Sequence, residues 1–291
     1  MEVVIIALVV LASFFLVMKL LFTKKHTEEV AYTYSLAEEE RGYLIEYVPF
    51  YNELDEAGKQ EFESRLQHFL NTTRISGVNV TVEPLDRVLV AASAIIPIFG
   101  FKDWEYINLN EVLLYPDAFN DTFDQQGADR STLGVVGNGP YQNIMILSQY
   151  DLRQGFLNKS GKSNTAIHEF VHLVDKTDGA VDGVPEALLS RKYVMPWLEL
   201  VHENIERIQQ NNSDINPYGA TNKAEFLAVV AEYFFERPDL LQERHPDLYE
   251  LLAKMFRQEP AHTLSTPPAP NGKGSAAEAR QNFEQGTRSE E

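Results

Sequence analysis

Residues 168–172 read His168-Glu169-Phe170-Val171-His172. A helix advances about 100° per residue, so positions i and i+4 lie one above the other and two imidazoles can grip one ion. Glu169 falls beside them. A carboxylate there can take the proton of a water that a catalytic zinc acidifies to a pKa of about 7. The spacing therefore predicts a zinc hydrolase. Three fixed residues in five also arise by chance, and histidines on an amphipathic helix are then simply hydrogen-bonded. Context favours the metal. Ile167, Phe170, Val171, Leu173 and Val174 make the segment apolar on nearly every side, as in a buried helix. Two imidazoles and a carboxylate are costly to bury without partners.

A catalytic zinc needs a third protein ligand and an open position for water. The chain has no cysteine, which leaves histidine, aspartate or glutamate. Asp178 follows the second histidine, but Asp175 stands where a glycine would permit the tight turn back to the ion. Asp178-Gly179 reads instead as an ordinary turn past the helix end. Asp175, seven residues after His168 on the same face, either accepts a hydrogen bond that orients His172 or is a solvated end residue. A better source is the segment 222–235, a second helix apolar on almost every side. Phe226, Leu227, Val230, Tyr233 and Phe234 form its stripe, and Glu225 and Glu232 occupy the other flank. With Asn222 as N-cap, Glu225 is also the N3 residue of a capping box. Ligand and cap both remain open for it on these grounds.

Several segments together resemble the Mlc titration factor A family of zinc-dependent peptidases. They are residues 115–119 (YPDAF), 168–175 (HEFVHLVD), 178–185 (DGAVDGVP), 218–222 (YGATN) and 224–238 (AEFLAVVAEYFFERP). The similarity covers approximately residues 47–260, in the family's order. It implies that His168, His172 and Glu225 hold Zn2+ and that Glu169 is the general base. It also implies that Tyr218, seven residues before the third ligand, stabilises the oxyanion. Taken alone, Asn216-Pro217-Tyr218-Gly219 reads as a turn whose ring can simply pack on the core. Relatives often carry proline where Lys223 stands, which bears only on the rigidity of that turn. The resemblance further implies a peptide or protein substrate, aminopeptidase-like activity, and a transcriptional regulator as a possible partner.

The surrounding pattern predicts an α+β, zincin-like metallopeptidase domain with a small sheet. Helices are expected over residues 56–70, 85–98, 197–209 and 246–257, besides the two that carry the candidate ligands. Short strands are expected over 111–115, 133–136 and 143–147, with Gly137-Asn138-Gly139 as a hairpin turn between the last two. If the strand 143–147 lies at the sheet edge, it can bind an extended peptide by strand addition. The alternative is an ordinary core strand.

Residues 3–22 form an apolar run interrupted only by Ser13 and Lys19, long enough to span a bilayer core of about 30 Å. The sequence thus divides into a transmembrane anchor (1–25), a polar linker (26–42), the metallopeptidase domain (43–260) and a tail (261–291). The tail is rich in Pro, Gly, Ser and charge and is expected to be disordered. Lys19 near the end of the run and Lys24 and Lys25 beyond it all stand on its C-terminal side, so the positive-inside rule turns the domain toward the cytoplasm. The formal net charge of −18, from 43 acidic and 25 basic residues, repels phosphate backbones and argues against direct nucleic-acid binding.

Overall fold

The computed structural model describes residues 34–260, apart from residues 107, 121–124, 126–131, 137–142, 159 and 186–187. The chain divides into two units, Met1–Ser35 and Leu36–Glu291, and every element below belongs to the second. The apolar run 3–22, the hairpin turn 137–139 and the tail 261–291 lie outside the described residues. Among the described residues no helix is long and apolar enough to cross a membrane.

The unit is helix-rich α+β. Helices α1 (Glu38–Tyr47), α2 (Pro49–Glu53) and α3 (Glu56–Thr72) come first, then strand β1 (Arg74–Gly77) and helix α4 (Pro84–Ile98). Helix α1 begins inside the polar stretch 26–42. Strands β2 (Glu111–Tyr115), β3 (Gly134–Val136) and β4 (Ile144–Ser148) follow, with α5 (Gln149–Leu157) leaving directly from β4. The remaining helices are α6 (Thr165–Asp175), α7 (Arg191–Gln209), α8 (Lys223–Glu236), α9 (Pro238–Arg244) and α10 (Pro246–Phe256).

The sheet order is β1-β2-β4-β3, with β1, β2 and β4 parallel and β3 antiparallel to β4. This corrects the expectation for residues 143–147. Ile146 on β4 pairs with Leu113 on one side and Val135 on the other, so neither edge is free for a peptide. The near-continuous burial of Met145, Ile146, Leu147 and Ser148 suits a central strand covered on both faces. The strand at that margin is β3.

Helix α7 starts at Arg191, upstream of Pro196, rather than at Trp197. The proline removes one amide donor, but Trp197, Val201, Asn204 and Ile208 keep one face buried and the helix continues through it. Helix α6 is the centre of the unit. It packs against α4 and α8 and under β3, and its Phe170 ring meets Phe69 and Tyr106 at centroid distances of 5.8 and 5.2 Å. An ion pair not read from the sequence ties α4 to α5, where Arg153 Nε donates to Oδ1 of the buried Asp86 at 2.7 Å.

Candidate metal centre

Helix α6 begins at Asn164, whose Oδ1 accepts from the Ile167 amide at 3.2 Å. That cap starts the helix early enough to place His168 and His172 on its inner face. Helix α8 begins in the same way, with Asn222 Oδ1 accepting from the Glu225 amide at 3.0 Å. The Glu225 carboxylate does not fold back to close a capping box. It turns to the histidines, with Oε2 3.0 Å from His168 Nε2.

Three atoms converge. His168 Nε2 lies 3.0 Å from Glu225 Oε2 and 3.1 Å from His172 Nε2, and His172 Nε2 lies 3.4 Å from Glu225 Oε2. Bonds of 2.0–2.1 Å to a tetrahedral ion would separate such atoms by about 3.4 Å. These side chains therefore sit within a few tenths of an ångström of the spacing a metal imposes. Among the described residues they are the one group of His, Cys, Asp or Glu side chains able to hold an ion.

The outer nitrogen of His168 is also occupied. Nδ1 lies 2.7 Å from Glu232 Oε1, a contact that turns Nε2 toward the cluster, and with a metal held at Nε2 the ring would keep its proton on Nδ1. Glu232 Oε2 accepts the Asn164 amide at 2.6 Å, and Asn164 Nδ2 donates to Glu236 Oε1 at 2.8 Å. Glu232 appeared in the sequence only as a buried carboxylate without a task. The need of His168 for a partner at Nδ1 was the signal that could have given it one. Asn164 was visible as an N-cap type just before an apolar run.

With protein groups alone, burial works to lower the His168 pKa, but the hydrogen bonds to Glu225 and Glu232 raise it to about 10. Burial likewise works to raise Glu225, and His168 and His172 bring it down to about 2. The cluster thus balances its charges through a proton shared with the imidazoles, and a divalent cation would compete with that proton. Burial pushes the Glu169 carboxyl up, the histidines oppose the shift, and the charges of Glu225 and Glu232 add to it. Glu169 packs against the bare backbone of Gly134 on β3. A Cβ there would come 2.6 Å from Glu169 Cγ.

Tyr218 sits in a short 3-10 turn, Pro217–Ala220, where its amide donates to Asn216 Oδ1. Its ring is 54% exposed and 6.0 Å from the His168 ring, so it borders the site instead of packing into the core. A cleft of about 600 Å³ joins His168, Glu169, Tyr218, Glu232, Leu133 and Gly134. The structure thus brings together all five residues His168, Glu169, His172, Tyr218 and Glu225.

Two sequence candidates take other places. Asp178 lies outside the cluster and its Oδ1 accepts from the Ala180 amide in a turn. Asp175 makes no hydrogen bond to His172. Its Oδ2 accepts from the Gly183 amide at 2.8 Å, while its Oδ1 and His172 Nδ1 are both buried without a hydrogen-bond partner among the described residues.

Residues 22–257 match the profile of the family described as "Glucose-regulated metallo-peptidase M90". An uncharacterized protein of Synechocystis sp., slr2042, is 32% identical over 230 residues, 75% of this chain and 82% of that protein. Mlc titration factor A of Pectobacterium atrosepticum is 26% identical over 75% of this chain and 86% of its own. The protein of the same name from Edwardsiella ictaluri is 30% identical over 63% and 73%.

Proposed function

Because the chain belongs to the glucose-regulated metallo-peptidase M90 family, we propose that it is a zinc-dependent peptidase of zincin type, held to a membrane by residues 3–22. The observation that carries this reading is the convergence of His168 Nε2, His172 Nε2 and Glu225 Oε2 at 3.0 to 3.4 Å. Two imidazoles and one carboxylate suit zinc, whereas magnesium and calcium favour all-oxygen surroundings.

Bound there, zinc supplies an acidified water and a polarised carbonyl. The chain's own groups do the rest. Glu169, with a pKa raised by burial, takes the proton of the attacking water and returns it to the departing amine. Burial and the charges of Glu225 and Glu169 push the Tyr218 phenol up, so it keeps its proton and donates to the oxyanion that forms on the carbonyl oxygen. Glu232 holds the His168 ring. Beside the cleft, β3 pairs with β4 along one side only among the described residues, and an extended peptide adds to its other side by backbone hydrogen bonds.

Support for the anchor is the apolar run itself, and Lys19 near its end, with Lys24 and Lys25 beyond it, favours the cytoplasmic side for the catalytic unit. Full-length chain should resist alkaline extraction from membranes, and residues 26–291 should be released. Equal extraction of both would remove the anchor from this account.

A second reading follows from the relatives named Mlc titration factor A. In it the chain captures a transcriptional regulator and turns over little or no peptide. Glu169→Gln separates the two. The peptidase reading expects metal content unchanged and hydrolysis of a mixed peptide library lost by at least about 100-fold. Undiminished activity in that variant, or none in the wild type, would count against it.

A further inference from the structure

We infer that Gly183 is a positioning residue that sets the distance between the histidine helix α6 and Glu225. This rests on the reading of His168, His172 and Glu225 as metal ligands. Helices α6 and α8 run in opposite directions and are tied at both ends. At one end Asn164, before α6, reaches Glu232 and Glu236 late in α8. At the other, the direct contacts between α6 and the start of α8 are those of the ligand side chains themselves, His168 and His172 with Glu225, and Gly183 supplies the link through the backbone.

Three supports meet at this residue. Its amide donates to Asp175 Oδ2 at 2.8 Å, three residues beyond His172, on a side chain with no exposed surface. Its carbonyl accepts from Trp197 Nε1 at 2.6 Å, and that fully buried indole packs 6.0 Å from the ring of Phe226, the residue after Glu225. Its α-carbon lies against the peptide bond that precedes Glu225 by one residue. A Cβ on Gly183 would fall 2.2 Å from Lys223 O, 2.4 Å from Lys223 C and 2.8 Å from Ala224 N. The backbone there has φ +77°, in the left-handed region that favours glycine.

The magnitudes make this a matter of ligand geometry. Relieving a 2.2 Å contact requires a shift of about 1 Å, whereas metal–ligand distances tolerate about 0.2 Å. The far end of α8 stays tied through Asn164, so a side chain at 183 tilts the helix and carries Glu225 away from the imidazoles. The contact lies 40 residues from its partner in sequence, with no local signal of its purpose.

The test uses Co2+ as the probe, because its visible absorption reports the coordination around it, together with Zn2+ affinity by chelator competition. Full-length wild type should take up Co2+ with a tetrahedral-type band. Gly183→Ala should shift that band and weaken Zn2+ binding about 10- to 100-fold. Asp175→Ala should act in the same direction, and Asp175→Asn, which keeps an oxygen to accept the Gly183 amide, should restore most of the affinity. A folded Gly183→Ala with the wild-type band and affinity would overturn the inference. If that variant does not fold, equal affinities in Asp175→Ala and Asp175→Asn overturn it instead. A wild type that takes up no Co2+ would overturn the ligand reading first, and this inference with it.

Discussion

Glu232 Oε1 lies 2.7 Å from Nδ1 of His168, and this contact decides which nitrogen of the ring faces the cluster. The same carboxylate accepts the amide of Asn164, so it holds both the ring and the start of the helix that carries it. Glu232→Ala should weaken zinc binding about 10- to 100-fold and, by orphaning the Asn164 amide, cost about 1–3 kcal/mol of stability. Glu232→Gln, whose single side-chain oxygen can replace only one of the two acceptors, should fall between alanine and wild type in both. Chelator competition and thermal unfolding measure the two effects, and an alanine variant that binds zinc like wild type would remove Glu232 from the site.

Tyr218 is exposed beside the His168 ring, where removing its hydroxyl leaves packing nearly intact. Tyr218→Phe should lower kcat about 100- to 1000-fold with little change in KM or metal content. A kcat within about twofold of wild type would return the residue to the role of a turn aromatic.

Gly134 has no room for a side chain, since a Cβ would come 2.6 Å from Glu169 Cγ and 2.8 Å from its Oε1. Gly134→Ala should therefore displace the proposed base while leaving the three ligand atoms in place. The expected outcome is hydrolysis reduced by at least about 10-fold at unchanged zinc affinity, since misplacement by about 1 Å can cost 100-fold. Loss of zinc in step with activity would contradict this separation.

Glu236 reports on the tied end of the two helices. Burial raises its carboxyl, the hydrogen bond from Asn164 opposes the shift, and the charge of Glu232 adds to it, leaving it at about 7. A carboxyl raised in the folded state binds its proton more tightly there than in the unfolded chain. Its stabilising contribution is complete below the unfolded value of about 4.3 and is lost as pH rises through 7. The full shift corresponds to at most about 4 kcal/mol, and partial exposure of the side chain reduces it. Glu236→Gln, neutral throughout, should gain in Tm over the wild type between pH 5 and pH 8 by a few degrees. A gap that does not change with pH would show that Glu236 does not titrate in this window.

What was legible in the sequence was local. The H-E-x-x-H spacing, the apolar surroundings of α6 and α8 and the Asn222 cap all lie within one helix each, where periodicity and residue type act together. The choice between ligand and cap for Glu225 was not local, because it depends on where α6 lies. Sheet order escaped for the same reason. Residues 143–147 and 134–136 both read as short strands, and only β2 pairing with β4 from more than 30 positions away makes β4 central and β3 the margin. For Asp175 the sequence left open a contact with His172 or a solvated helix end, whereas its amide partner, Gly183, comes from the turn beyond.

The most direct test of the central claim is diffraction from crystals of the zinc-loaded protein at energies on either side of the zinc absorption edge. The account predicts one anomalous peak at about 2.0–2.2 Å from His168 Nε2, His172 Nε2 and Glu225 Oε2. A folded protein with no peak there, or with zinc bound at other residues, would contradict it.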